Sequence, residues 1–227
     1  VMKLFEVKDA KWGEAIELLK KGHVPDVLEK AIECLREIRH IRIIEDHEPS
    51  PNMNNYHWDT LFIDLFDRCA RRYRGGDRHF PTYYTAADQI FLRDIGYKPR
   101  EFFDFVEDHC DGGEPTISMS ILIASVRRDY LHWEMNGQLS DHEITPDQLP
   151  PKTDELAGFV WLPRILAKAR GKLRGELHPE IMYGCGGDRG FLRRHQIAAS
   201  DFLRAVYRAG DDDAAIVGFV RQHAGKA

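Results

Sequence analysis

The side chains of this sequence best suited to chemistry are histidines and acids between residues 56 and 136. Asp129 and His132 stand three residues apart, a spacing that brings both to one face of a helix. His57 lies earlier in the same region, and histidine is the side chain that most often transfers protons near neutral pH. We therefore predict that His57, His132 and Asp129 are catalytic, acting as general acids or bases.

A second function predicted for histidines and acids of this region is metal binding. Imidazole nitrogens and carboxylate oxygens are common ligands of divalent metals. His132, Asp129 and His109 are the predicted ligands of a single divalent ion. The alternative is that these histidines are solvated or hydrogen-bonded within the core.

Aromatic and basic residues suggest a pocket for a small molecule, since such pockets combine apolar walls with a few polar groups. A helical core would use the same aromatic residues. Arg93 and Arg193 are flanked by apolar residues, and each could bind an anion or pair with a nearby acid such as Asp88 or Asp188. The predicted binding residues are Tyr83, Arg93, Trp133, Tyr183 and Arg193.

Apolar residues recur at helical spacing in the segments that carry these side chains. A stripe begins after His57, and a further helix is predicted over residues 117–133. Thr85 precedes Asp88 by three residues, a spacing typical of a capping box at a helix start. An N-terminal pair of helices is predicted within residues 1–55. The fold class is therefore all-α.

A duplication organises most of the chain. The triplet Phe91-Leu92-Arg93 recurs one hundred residues later as Phe191-Leu192-Arg193. Between positions 59 and 106, nine of 48 pairs at this offset are identical, against about three expected by chance. The register then slips, which indicates a six-residue insertion around Cys110 to Pro115 in the first copy.

The pattern divides the chain into four parts and predicts two homologous helical units packed about a pseudo-twofold axis. The divisions are an N-terminal helical segment, a first repeat, a proline-rich linker and a second repeat, over residues 1–55, 56–136, 137–153 and 154–227. The four histidines of the first repeat have no histidine counterpart in the second. We therefore expect any chemistry where the copies differ.

Composition excludes several classes of protein. A formal net charge of −5 gives no overall attraction for nucleic acid. The four cysteines form no CxxC pair, so a zinc ribbon is not indicated. The chain has neither an apolar run of about 20 residues nor a signal-like N-terminus. These features predict a cytoplasmic protein without membrane or nucleic-acid partners, and a homodimer is compatible with them.

Two blocks carry a family resemblance. Trp161-Leu162-Pro163-Arg164 is followed by Cys185-x-x-Asp188-Arg189. Over residues 154–224 the chain resembles a family of small bacterial domains of unknown function, and the first repeat resembles a diverged relative. The resemblance implies a mainly helical fold and no particular chemistry. Cys185 could be a reactive thiol at a helix start, but Thr85 holds the equivalent place, which favours helix capping.

Two functions are compatible with the sequence. The first is a small-molecule-binding protein or enzyme with a cleft between the repeats, using histidine and carboxylate groups of the first repeat, with or without a metal ion. The second is a non-catalytic interaction or scaffolding module. A deep pocket with converging polar groups would favour the first, and a flat apolar patch would favour the second.

Overall fold

A computed structural model describes residues 56–224, and these residues are mainly helical, which confirms the predicted all-α class. The helical pair predicted within residues 1–55 lies outside the described residues. The first half of the described chain contains four helices. They are α1 (Trp58–Arg74), α2 (Ala86–Asp94), α3 (Pro99–Gly112) and α4 (Ile117–Trp133), with a short 3-10 turn at Phe80–Thr82.

The second half follows a 3-10 turn at Pro146–Gln148 and a two-stranded antiparallel hairpin of β1 (Glu155–Leu156) and β2 (Phe159–Val160). It also contains four helices. They are α5 (Leu162–Arg174), α6 (Gly186–Arg194), α7 (Ala199–Ala209) and α8 (Asp213–Ala224). The segment predicted as a linker contacts this half, because Leu149 is buried and Ile144 forms a parallel bridge with Leu177.

The start of α2 follows directly from the sequence. The Thr85 hydroxyl accepts a hydrogen bond from the Asp88 backbone amide at 3.2 Å, and the Asp88 carboxylate accepts one from the Thr85 amide at 2.8 Å. This confirms the predicted capping box. Because both amides lie at a helix N-terminus without helical acceptors, the reciprocal bonds fix where α2 begins.

Aromatic side chains fill much of the core of the first half. Phe62 on α1 and Phe102 on α3 are fully buried, with ring centroids 5.0 Å apart in an edge-to-face arrangement. Phe66 packs one turn further along α1 against the same Phe102 ring, at 5.9 Å. Such contacts add to the apolar burial that holds α1 against α3. Phe62 and Phe66, which belong to the apolar stripe predicted after His57, therefore lie in the core.

Several features of the two halves recur at an offset of one hundred residues. Helices α2 and α6 span equivalent positions, and α1 and α5 end at Arg74 and Arg174. An ion pair joins Arg68 to Asp88 in the first half, and another joins Lys168 to Asp188 in the second. Both α2 and α6 are followed at the second position by a residue of positive φ, Gly96 at 78° and Gln196 at 54°.

Helix α4 is central, because it packs against α1 in its own half and against α5 and α7 in the other. Its Arg127 is fully buried. The Nε atom donates to the Gly96 carbonyl at 3.0 Å, and Nη1 donates to the Leu173 carbonyl at 2.8 Å. Each carbonyl lies at the C-terminal end of a helix, where backbone dipoles favour a positive charge. One guanidinium thus joins α2 to α5.

A second buried cation also links the halves. Lys172 on α5 donates to the Glu101 carboxylate on α3 at 2.7 Å. Its ammonium nitrogen lies 3.5 Å from the ring centroid of Tyr97. Burial lowers the pKa of Lys172 to about 8, and the Glu101 charge acts in the opposite direction. The buried ammonium group of Lys172 is therefore stabilised between the halves by the Glu101 charge and by the Tyr97 ring.

Among the helices of residues 56–224, none combines the length and the apolar character needed to cross a bilayer.

Replacing Arg127 with methionine should lower the free energy of unfolding by about 2–6 kcal/mol. The change leaves two buried carbonyls without a donor, at about 1–3 kcal/mol each. Urea unfolding followed by far-ultraviolet circular dichroism measures the loss. Arg208 is exposed on α7, and Arg208→Met should stay within about 0.5 kcal/mol of the wild type. A loss below about 1 kcal/mol for Arg127→Met would contradict this account.

Gly175→Ala tests how closely Arg127 approaches the backbone. Gly175 and Gly76 both have positive φ, at 72° and 92°. An alanine costs about 1–2 kcal/mol in this conformation. A Cβ at residue 175 would lie 2.5 Å from Arg127 Nη2, whereas at residue 76 it would meet nothing within 4 Å. We expect Gly175→Ala to lose at least about 1 kcal/mol more than Gly76→Ala in urea unfolding. Equal losses would rule out the steric contact.

Candidate functional site

A cavity of about 220 Å³ lies between the two halves. One wall comes from α3, α4 and the loop between them, and the other comes from α6 and the segments on either side of it. The lining is largely apolar, with a few polar side chains. The apolar residues include Phe105, Pro115, Met119, Ile123, Leu192 and Ile197, and the polar ones are Glu114, Thr116, Arg189 and Arg193.

Charged groups stand together at one side of this cavity. Arg189 is held in place by two contacts of its Nη1, to the Asp108 carboxylate and to the Gly184 carbonyl, each at 2.8 Å. Its Nε lies 3.6 Å from Glu114 Oε2. The same oxygen accepts from Arg193 Nη2 at 2.7 Å. A single carboxylate oxygen therefore lies between two guanidinium groups that belong to the other half.

Asp188 holds the start of α6, including the preceding residue Gly184 and the first helical turn that carries Arg189. This carboxylate is fully buried and accepts three hydrogen bonds, from Lys168 Nζ at 2.5 Å, Trp161 Nε1 at 2.9 Å and the Gly184 amide at 2.9 Å. A buried carboxylate needs this many partners to offset its lost hydration. Asp188 thereby positions the start of α6 and, with it, Arg189.

Trp161 reaches Asp188 because residue 187 has no side chain. A Cβ at Gly187 would lie 2.3 Å from the indole ring. Trp161 is the N-cap residue of α5 and has a left-handed conformation, with φ of 79°. Trp161, Gly187 and Asp188 thus form one packed and hydrogen-bonded group that supports the start of α6.

Cys185 holds the N-cap position of α6, but its side chain makes no capping hydrogen bond, so the capping role predicted for it is wrong. Its Sγ lies 3.1 Å from Lys168 Nζ. The equivalent Thr85 does cap α2. The two acids also differ in their backbone partner, because the Asp188 carboxylate accepts from the Gly184 amide and the Asp88 carboxylate accepts from the amide of its own N-cap residue, Thr85.

The predicted catalytic residues lie away from the cavity. His57 is exposed before the first turn of α1. Asp129 and His132 occupy the last turns of α4, whereas Met119 near its start lines the cavity. At 1.5 Å per residue, His132 is about 20 Å along the helix from Met119. Its Nε2 lies 3.0 Å from the Asp94 carbonyl, and burial lowers the pKa of its imidazole.

The structure does not gather the predicted metal ligands. His109 Nδ1 lies 3.1 Å from the Pro115 carbonyl, next to the cavity loop, and His132 contacts Asp94 instead. Within residues 56–224, no group of three or more histidine, cysteine or acidic side chains is arranged to hold a metal ion.

Of the five predicted binding residues, Arg193 lines the cavity. Tyr83 and Tyr183 are buried, and their hydroxyls donate to the carbonyls of Asp77 and Ala199. Arg93 and Trp133 are exposed and are not among the lining residues.

The pairing of the two arginines with Asp88 and Asp188 is wrong. Those acids bond to Arg68 and Lys168, one helix earlier in each half.

Sequence reasoning missed Glu114, Arg189 and Lys168 as members of the site. Two signals could have found the first two. Glu114 falls within the predicted insertion, where the copies differ, and Arg189 belongs to the Cys185-x-x-Asp188-Arg189 block. Nothing in the sequence marks Lys168 as buried, because most lysine side chains on helices are exposed to solvent.

Comparison with known proteins places part of the chain in context. Residues 149–227 match a family described as a domain of unknown function, DUF5069. This agrees with the sequence resemblance to an uncharacterised family over nearly the same residues. No curated protein and no solved structure matches the chain.

The Lys168–Asp188 ion pair should contribute more to the free energy of unfolding than the Arg68–Asp88 pair. Lys168 and Asp188 are 4% and 0% exposed, whereas Arg68 and Asp88 are 40% and 13% exposed. Lys168→Met leaves the Asp188 carboxylate buried without its cation, which should cost about 3–5 kcal/mol. Arg68→Met should cost about 1 kcal/mol or less. Urea unfolding compares the two variants, and similar losses would argue against Asp188 as the support of the α6 start.

Proposed function

We propose that the protein binds a small, largely apolar molecule in the cavity between its two halves. The observation that carries this proposal is the combination of an apolar lining with charged side chains on one side of the cavity. Small-molecule sites have this composition, with apolar walls for affinity and a few polar groups for orientation. An aliphatic and aromatic cavity of about 150 Å³ already accommodates benzene. A volume of about 220 Å³ therefore suits a bicyclic or short-chain compound.

The charged side chains would orient the ligand in the cavity. Phe105, Ile123 and Leu192 are buried and belong to the apolar part of the lining. Glu114 and Arg193 are exposed and belong to its polar part. A bound molecule would therefore place its apolar body among the buried side chains and its polar end beside these two residues, where water remains within reach.

We further propose that the two halves are diverged copies of one helical unit. The matching helix positions, the ion pairs of Asp88 and Asp188, and the left-handed residues after α2 and α6 support this. The predicted insertion supplies Glu114 and Pro115 to the cavity. On this view the site arose at the place where one copy gained a segment that the other lacks.

The cavity proposal does not depend on the histidines. A role for His57, Asp129 and His132 as general acids or bases, with or without a metal ion at Asp129 and His132, stays a separate prediction; His109 lies at the other end of α4, beside Pro115. This role would place chemistry near the far end of α4, about 20 Å from the start of that helix. Binding in the cavity requires only the side chains that line it.

Filling the cavity should abolish binding. We choose indole as the probe, because it is bicyclic and uncharged, and isothermal titration calorimetry as the measurement. Met119→Trp places a large side chain into the lining and should weaken indole binding at least about tenfold. Leu122→Trp is the matched control, because Leu122 is exposed on the same helix and does not line the cavity.

Thermal unfolding of both variants checks that they fold. If wild-type protein takes up no indole at millimolar concentration, or if Met119→Trp binds it as well as the wild type, the proposal fails.

A further inference from the structure

We propose that the ligand carries an anionic group, and that this group binds between Arg189 and Arg193 in the place that Glu114 occupies in the structure. This inference rests on the proposed function and names the class of ligand. Glu114 is then an internal competitor, a carboxylate of the protein that occupies the anion position until a ligand carboxylate replaces it.

The two guanidinium groups are arranged for such a ligand. Arg189 and Arg193 are four residues apart on α6, so both project from one face of the helix. Both lie within 4 Å of the same carboxylate oxygen, Glu114 Oε2, at 3.6 and 2.7 Å. Guanidinium groups bind carboxylates through paired, charge-assisted hydrogen bonds. Glu114 therefore marks where a carboxylate is held at this site.

The two arginines differ in how firmly they are held. Arg189 is fixed by the Asp108 carboxylate and the Gly184 carbonyl, and neither contact involves Glu114. Arg193 and Glu114 are 70% and 49% exposed, so water screens their pair and makes it weak. Replacing Glu114 by a ligand carboxylate thus breaks a weak contact and leaves the anchored arginine in position.

The charge of the lining also favours an anion. Glu114, Arg189 and Arg193 line the cavity, and Asp108 pairs with Arg189, so two acids balance two arginines, and turning Glu114 toward solvent leaves one net positive charge. A cationic ligand that approached Glu114 would meet both guanidinium groups at short range, and like charges repel there. An anionic ligand meets two attractive groups once Glu114 has turned toward solvent.

Three compounds that share one ring system separate charge from apolar contact. Indole is uncharged, indole-3-acetate is anionic and tryptamine is cationic at neutral pH. We expect the wild type to bind indole-3-acetate more tightly than indole, and tryptamine more weakly. Isothermal titration calorimetry of the whole chain at low salt gives the three affinities.

Two variants then test the competing carboxylate. Glu114→Gln keeps the size of the side chain and removes its charge, so the affinity for indole-3-acetate should rise about two- to fivefold. Arg193→Gln should lower it about five- to tenfold. Each effect is scored as the ratio of the indole-3-acetate affinity to the indole affinity of the same variant, because both compounds sense a change in the shape of the cavity and only one carries the carboxylate. Arg194→Gln is the matched control, because Arg194 is exposed on the same helix and does not line the cavity.

The outcomes distinguish this inference from the proposed function. If indole does not bind, the proposed function fails, and this inference fails with it. If indole binds but indole-3-acetate binds no better, or if Glu114→Gln leaves the affinity for indole-3-acetate unchanged, the anion site is wrong and the apolar cavity stands. If Arg194→Gln weakens indole-3-acetate as much as Arg193→Gln does, general surface charge explains the preference and the inference is overturned.

Discussion

The buried guanidinium of Arg127 is the contact on which the arrangement of the described helices depends. It lies on α4, the helix that packs against both halves, and it bonds to backbone carbonyls at the ends of α2 and α5. Burial lowers the pKa of a guanidinium, and the Arg127 charge is offset here by backbone dipoles at helix ends. The Lys172–Glu101 pair adds a second link between the halves. These contacts together join α2, α3, α4 and α5.

These contacts position one wall of the cavity. That wall consists of α3 and α4, which the Lys172–Glu101 and Arg127 contacts hold against α5, and the loop between them adds Glu114 and Pro115. The other wall consists of α6 and its flanking segments. The support beneath α6, in which Asp188 joins Lys168 and Trp161, then sets where Arg189 and Arg193 project.

Local patterns in the sequence were enough to predict the helices and the Thr85–Asp88 capping box, because both depend on residues close together in the chain. The repeated Phe-Leu-Arg triplet includes Arg193, and the predicted insertion includes Glu114. The roles of Arg127 and Lys168 could not be predicted in this way. Cations on amphipathic helices are usually solvated, and nothing in their spacing reveals that the fold buries them. The histidines were singled out by residue type, but their positions around α4 depend on tertiary packing.

The partners of Arg127 have a consequence for how the sequence can vary. A backbone carbonyl is present whatever residue occupies the position, so substitution at residue 96 or 173 cannot remove the acceptor. What substitution can do is obstruct the approach, because a Cβ at Gly96 or Gly175 would lie within 2.7 Å of the guanidinium. The contact therefore requires an arginine at one position and the absence of a side chain at two others. Because the acceptors of these two hydrogen bonds are backbone carbonyls, the constraint that the contact places on sequence falls on Gly96 and Gly175 and not on an acidic partner.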